Sequence, residues 1–164
     1  MRDFMSRKKN ERPQSALEFI AAAEQIMRAV YQDTKYNFGI KDTPDILDDE
    51  GNVVKKGSTR YTDNKNYIDQ TIEQMLTYAE MIDFYVQSAD SHYPYNLSIL
   101  TERRKMQDNA LAACRTLKRR YQINLNVLGV PDGKYAKTLQ LIEHEIAVIS
   151  GWRKSDNRWE KKLA

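Results

Sequence analysis

The spacing of apolar residues between Asp63 and Ser91 limits what this chain can fold into more than any other feature. Ile68, Ile72, Met75, Ala79, Ile82 and Val86 recur in alternating steps of four and three. A strand presents every second residue to one face, so this period predicts an amphipathic helix with a near-heptad seam. A stripe that narrow must be covered by further helices.

The rest of the chain supplies them. Ser15-Ala16-Leu17-Glu18 reads as a capping box, in which Ser15 and Glu18 satisfy free backbone N–H groups. Leu17, Ile20, Met27 and Tyr31 follow at helical spacing, with Ala23 between them, which predicts a first helix over about 15–35. The second ends near Ser91, before Tyr93-Pro94-Tyr95. A third starts near Leu97, with the seam Ile99, Met106, Ala110, Ala113, Leu117, Tyr121, Leu125 and Leu128. Gly129-Val130-Pro131-Asp132-Gly133 ends it. A fourth runs over 132–151, with Tyr135 and Ala136 at its start and the seam Leu139, Ile142, Ile146 and Ile149. Helices of about 20–30 residues make a bundle about 30–45 Å tall. Short links after the second and third helices make sequential neighbours antiparallel.

Residues 36–62 interrupt this plan. Gly39, Pro44, Gly51 and Gly57 punctuate them, and Ile46-Leu47-Asp48-Asp49-Glu50-Gly51-Asn52-Val53-Val54 reads as a small hairpin turning near Gly51. The expectation is a surface excursion with little core role. The fold class is thus all-α: an antiparallel up-down four-helix bundle over 15–152, with a hairpin-like insertion at 36–62 between helices 1 and 2. A flexible basic arm over 1–14 precedes it and a charged tail over 153–164 follows. The 164 residues suit a single domain.

Charge is unevenly distributed. The net charge of +3 divides into −4 over residues 1–100 (12 basic, 16 acidic) and +7 over residues 101–164 (14 basic, 7 acidic). A basic C-terminal part raises the expectation of a polyanionic partner. The single cysteine, Cys114, lies among Ala112, Ala113 and Leu117 and reads as a small buried residue. No apolar run approaches membrane-spanning length and no signal-peptide core is evident, so the expected location is cytoplasmic, without membrane contact.

Residue sets that carry covalent chemistry are not apparent. A carboxylate-bridged metal pair needs two Glu-x-x-His motifs on inward faces, whereas this chain has only His92 and His144. In Glu143-His144-Glu145 the three polar groups diverge around a helix, and His144 falls beside the Ile142–Ile146 seam. His92 sits at a helix end, where capping is the expected role. Phosphate-binding glycine loops are absent. The expectation is no catalytic residue, no metal and no cofactor.

Basic residues on the third helix form a more informative pattern. Measured from Met106, Arg104 lies about 200° around the helix, Arg115 about 180° and Arg119 about 220°. They are expected to form one outward stripe with Lys118 on its shoulder, interrupted by Asp108. Arg153, Lys154 and Arg158 in the tail extend the set, with Lys161 and Lys162 beyond them. Guanidinium groups pair bidentately with phosphate, so the candidate nucleic-acid-binding residues are Arg104, Arg115, Lys118, Arg119, Arg153, Lys154 and Arg158.

Arg103-Arg104-Lys105-Met106-Gln107 and the following Ala110-Leu111-Ala112-Ala113-Cys114-Arg115 resemble the third helix of a small bacterial four-helix-bundle family. That family includes the accessory variability determinant (Avd) of diversity-generating retroelements and the proteins encoded by 23S ribosomal RNA intervening sequences. The ending Ile149-Ser150-Gly151-Trp152-Arg153-Lys154-Ser155-Asp156 resembles the accessory-protein branch. The helix opened by Ser15-Ala16-Leu17-Glu18 and the Tyr67–Val86 helix fit the same plan. The likeness covers about 15–35 and 63–158, and the insertion at 36–62 departs from it. The resemblance implies a homopentameric barrel that associates with the retroelement's reverse transcriptase and template RNA and supports mutagenic reverse transcription, without catalytic residues of its own. The alternative expectation is a protein–protein adaptor or structural oligomer with no nucleic-acid role.

Overall fold

The computed structural model describes residues 14–164, with side chains from Glu18 onward, Asp132 excepted. The basic arm expected over 1–14 lies outside the described residues but for the backbone of Gln14, as does the Ser15 side chain of the capping box. Four long helices form the bundle: α1 (Gln14–Thr34), α2 (Arg60–Ser91), α3 (Leu97–Val127) and α4 (Ala136–Ser155). Each packs on two neighbours, α1 and α3 both lying against α2 and α4. Side-chain pairs set the directions. Phe19 meets Trp152 and Asp33 meets Thr138, so α1 and α4 run antiparallel. Tyr67 meets Asn124 near one end of the α2–α3 pair, and Arg103 reaches the His92 carbonyl at the other. The up-down four-helix bundle is the observed architecture.

The core follows the α2 seam closely: Ile68, Met75, Ala79, Ile82 and Val86 are buried. In α3 the buried face is Leu100, Gln107, Ala110, Leu111, Ala113, Cys114, Leu117, Tyr121, Asn124 and Leu125, while Ile99 and Met106 are only half-buried. In α4 Thr138, Ile142, Glu145, Ile149 and Trp152 are buried, and Leu139 and Ile146 flank them. Both faces are therefore rotated slightly from the apolar-only reading. Polar Gln107 and Glu145 take positions inside.

Local chemistry sets the boundaries. Asn96 caps α3 by accepting from the Ile99 N–H at 2.9 Å. Gly129, at φ +71°, lets Val130 N–H reach back to Leu125 O at 2.8 Å, closing the helix. The helix α2 begins at Arg60, three residues before the expected Asp63, because Asp42 accepts from the N–H groups of Tyr61 (2.9 Å) and Thr62 (3.1 Å). Arg60 in turn donates to the Leu128 carbonyl, tying the start of α2 to the end of α3.

The insertion departs from expectation at its start. Phe38 and Ile40 are buried in the bundle core, and Phe38 meets Tyr135 edge-on at 6.0 Å. A 3₁₀ turn (Asn37–Gly39) turns them inward, with positive φ at Asn37, Phe38 and Gly39. Lys134 donates to the Phe38 carbonyl at 2.9 Å. The segment is thus anchored in the core, contrary to a purely superficial role. Beyond it, β1 (Ile46–Leu47) and β2 (Val53–Lys55) form the antiparallel hairpin with Gly51 in its turn at φ +86°.

Helix α4 continues to Ser155, and a short helix α5 (Asn157–Leu163) follows within the charged tail. Among the described residues no helix is long and apolar enough to cross a membrane.

Candidate nucleic-acid interface

The C-terminal segment folds onto α3 through a buried charge cluster. Asp156, 1% exposed, accepts from Arg103 Nε at 2.7 Å, Arg103 Nη2 at 3.2 Å and Gln107 Nε2 at 2.9 Å. The Arg103 guanidinium also lies over the Trp152 ring, 4.7 Å from its centroid. Trp152 stacks on Phe19 at 3.8 Å. The Trp-Arg-Lys-Ser-Asp ending therefore supplies the two residues, Trp152 and Asp156, that fasten α4 and α5 to α1 and α3. Arg103 and Asp156 were not singled out from the sequence. The signal was present, since Arg103 lies four residues before Gln107 and so on the same helix face.

The seven candidate cations divide into two groups. Arg104 is only 20% exposed at its side chain, donates to Asn157 Oδ1 at 2.6 Å and pairs with Glu160 at 3.5 Å. This corrects its expected place on an outward stripe. Taking the buried Gln107 as the core direction puts Arg104 about 60° away, on the flank that α5 covers. Lys118 pairs with Glu143, and Arg153 pairs with Asp108 at 2.5 Å, both bridging α3 and α4. Arg115, Arg119, Lys154 and Arg158 are exposed. Arg115 and Arg119, one turn apart on α3, make no ion pair with any described residue. Arg158 lies over the Trp159 ring at 5.3 Å, and Trp159 meets Tyr93 edge-on at 5.4 Å.

Two polar clusters lie inside the bundle. Asp33 accepts from Tyr121 Oη at 2.8 Å and Thr138 Oγ1 at 2.6 Å. Burial raises the Asp33 carboxyl above its ordinary range, while the two hydroxyl donors oppose the shift. Burial first, and the Asp33 carboxylate second, push the Tyr135 phenol up to about 12. Tyr121 shifts upward for the same two reasons.

Glu145 is the more unusual group. Its residue is 0% exposed and neither carboxyl oxygen has a hydrogen-bond partner among the described residues. Burial, with a smaller contribution from Glu18, pushes its pKa up to about 9, so it is neutral at pH 7. Burial, and then the neighbouring Glu145, raise the Cys114 thiol. Glu145 stands three residues after Ile142 and four before Ile149, which are seam intervals. His144 instead faces outward and meets Glu18 at 2.8 Å. The His92 ring closes the end of α2 against the Ser88 carbonyl at 2.6 Å. No group of three or more His, Cys, Asp or Glu residues is arranged to hold a metal ion among the described residues.

Comparison with protein-family models, curated proteins and solved structures finds no match to this chain.

Proposed function

We propose that the protein is a non-enzymatic accessory factor, similar to the retroelement accessory variability determinant, that binds RNA and a reverse transcriptase through the basic outer surface of a homopentamer. The observation that carries this reading is the pair Arg115 and Arg119. Both guanidiniums are exposed, one turn apart, with no acidic partner among the described residues. Exposed Lys154 and Arg158 add to the same basic C-terminal part. Such groups release counterions when they meet phosphate, so binding should weaken steeply with salt. Titration of a labelled single-stranded RNA at several salt concentrations tests this. Binding that is absent at low salt, or that does not weaken with salt, refutes it. Capture of the reverse transcriptase by the purified protein, with and without RNA, tests the second partner.

The adaptor reading has its own support in the hairpin, whose aliphatic side chains are exposed. It expects protein capture to survive when Arg115 and Arg119 are reversed in charge, with no function lost.

A further inference from the structure

The hairpin is an apolar feature that the bundle leaves uncovered. Residues 41–56 are exposed without exception. Ile46, Leu47, Val53 and Val54 are 55%, 56%, 55% and 69% exposed. A two-stranded hairpin is marginal in water by itself, and these four side chains remain more than half exposed where they stand. Its shape is nevertheless fixed. Thr43 and Ser58 bridge its root, Asp45 accepts from the Gly57 N–H at 2.5 Å, and Asp48 Oδ1 accepts from the N–H groups of Glu50 (2.9 Å) and Asn52 (2.8 Å) in the turn. A preorganised element loses little freedom on binding.

The same chain carries a surface that complements its tip in charge. A cavity of about 420 Å³ on the α3–α4 seam is lined by Tyr121, Gln122, Leu125, Asn126, Tyr135 and Leu139. Arg119 stands one turn before Gln122 on α3, and Arg115 one turn before that. A ligand lying along this seam therefore meets half-buried Leu139 between exposed Gln122 and Asn126, and then two guanidiniums. The hairpin presents aliphatic strands and then an acidic tip, where Asp49 and Glu50 are exposed. The stretch from Asn126 to Arg115 spans about 17 Å of helix. From its Thr43 root to Leu47 the hairpin extends about 13 Å, and the Asp48–Asn52 turn carries it further, a comparable reach.

We infer that the hairpin of one copy docks in the α3–α4 groove of a second copy, its Ile46 and Val54 side over Leu139 and its Asp49–Glu50 tip against Arg119 and Arg115. Charge complementarity between the exposed Asp49–Glu50 tip and the Arg115–Arg119 pair selects this occupant. The hairpin and the groove are different patches, so the contact is head-to-tail and builds a ring or a chain of copies. The inference does not rest on RNA binding, and its test needs no RNA.

The mass of the full chain in solution, measured at high-micromolar concentration, is compared with that of Ile46→Asp and Val54→Asp. Both positions are exposed, so the bundle itself is not disturbed. An assembly larger than a monomer is expected for the unaltered chain. Each variant should weaken association by more than about tenfold, because a charge is then buried in an apolar contact. Mixing a Val54→Cys chain with a Gln122→Cys chain under mild oxidation should give disulfide-linked pairs of unlike chains, with buried Cys114 silent. A monomeric unaltered chain overturns the inference, as does an assembly whose mass and affinity the hairpin variants leave unchanged. Closure of a Val54→Cys/Gln122→Cys chain on itself, with no linked pairs, also overturns it.

Discussion

Replacing Glu145 should stabilise the protein at neutral and alkaline pH and abolish much of its pH-dependence. In the unfolded chain this carboxyl ionises near 4.5, whereas in the bundle it keeps its proton up to about 9. Between those values the native state holds one proton more than the unfolded state, so stability falls as pH rises. The contribution is full below pH 4.5 and lost by about pH 9, at about 1.4 kcal/mol per pH unit. At pH 7 the handicap amounts to about 3 kcal/mol, a large part of a typical domain's stability. Glu145→Leu removes it and adds apolar packing. Glu145→Gln removes the titration but leaves a buried amide without a partner, so its gain is smaller by about 1–3 kcal/mol. With a urea dependence of about 2 kcal/mol per molar, Glu145→Leu raises the midpoint by about 1.5 M at pH 7. The advantage should shrink below about 1 kcal/mol at pH 5 and grow at pH 8.5. Urea unfolding followed by circular dichroism at the three pH values measures this, best in the Ile46→Asp background so that association does not enter. Midpoints of the Leu variant and the unaltered chain that move in parallel between pH 5 and 8.5 would refute a buried, neutral Glu145.

Asp156→Ala leaves the Arg103 guanidinium, 11% exposed, without its carboxylate, and should cost about 3–5 kcal/mol in urea unfolding. The burial that raises the Cys114 thiol should make it unreactive towards a chromogenic disulfide reagent in the folded protein at pH 8 and fully reactive in denaturant. Gly57→Val should distort the hairpin root, because a Cβ at that position would lie 2.6 Å from Pro44 C and 2.8 Å from Asp45 N. The hairpin does not feed the core, so association should weaken while the urea midpoint of the bundle changes little.

The period of the α2 seam was enough to read the bundle, because helices packed side by side demand that spacing and little else produces it over so many turns. The hairpin was legible for an equally local reason, the Asp48-Asp49-Glu50-Gly51-Asn52 turn between aliphatic pairs. On α1 the buried face is Phe19, Ala23, Ile26 and Val30, about one residue from the expected seam, and Tyr31 is 58% exposed. On α3 and α4 what escaped was decided by burial of polar groups. Gln107 and Glu145 sit at seam intervals but carry the wrong polarity, so the apolar-only reading set the α3 reference at Met106 and sent Arg104 to the wrong flank. Phe38 and Ile40 follow no period at all, since a 3₁₀ turn with three positive φ values places them in the core. Ion pairing was equally out of reach. Arg153 finds Asp108 and Lys118 finds Glu143 only once α3 and α4 lie antiparallel in one register.

That pairing sharpens which cations can serve a partner. Exposed ion pairs add only about 0–1 kcal/mol each, so the α3–α4 seam does not need Arg115 and Arg119 for stability, and no described carboxylate neutralises them. A phosphate chain has to displace Asp108 and Glu143 to reach Arg153 and Lys118, but meets Arg115 and Arg119 directly wherever the hairpin tip of a second copy does not cover them. Neutralising Arg115 and Arg119 together to Gln should therefore flatten the log–log dependence of RNA affinity on salt by about 1.4, two single-strand contacts' worth. Neutralising Arg104 and Arg153 to Gln should leave that slope nearly unchanged, because their charges are already answered by Glu160 and Asp108. The two double variants lose the same number of charges, so general electrostatic attraction affects them equally. Equal slopes for the two would mean that RNA, if bound, responds to net charge and not to this pair of arginines. The acidic hairpin tip supplies an independent check: Asp49→Asn/Glu50→Gln should raise RNA affinity where hairpin and phosphate contend for the same guanidiniums, and leave it unaltered where they do not.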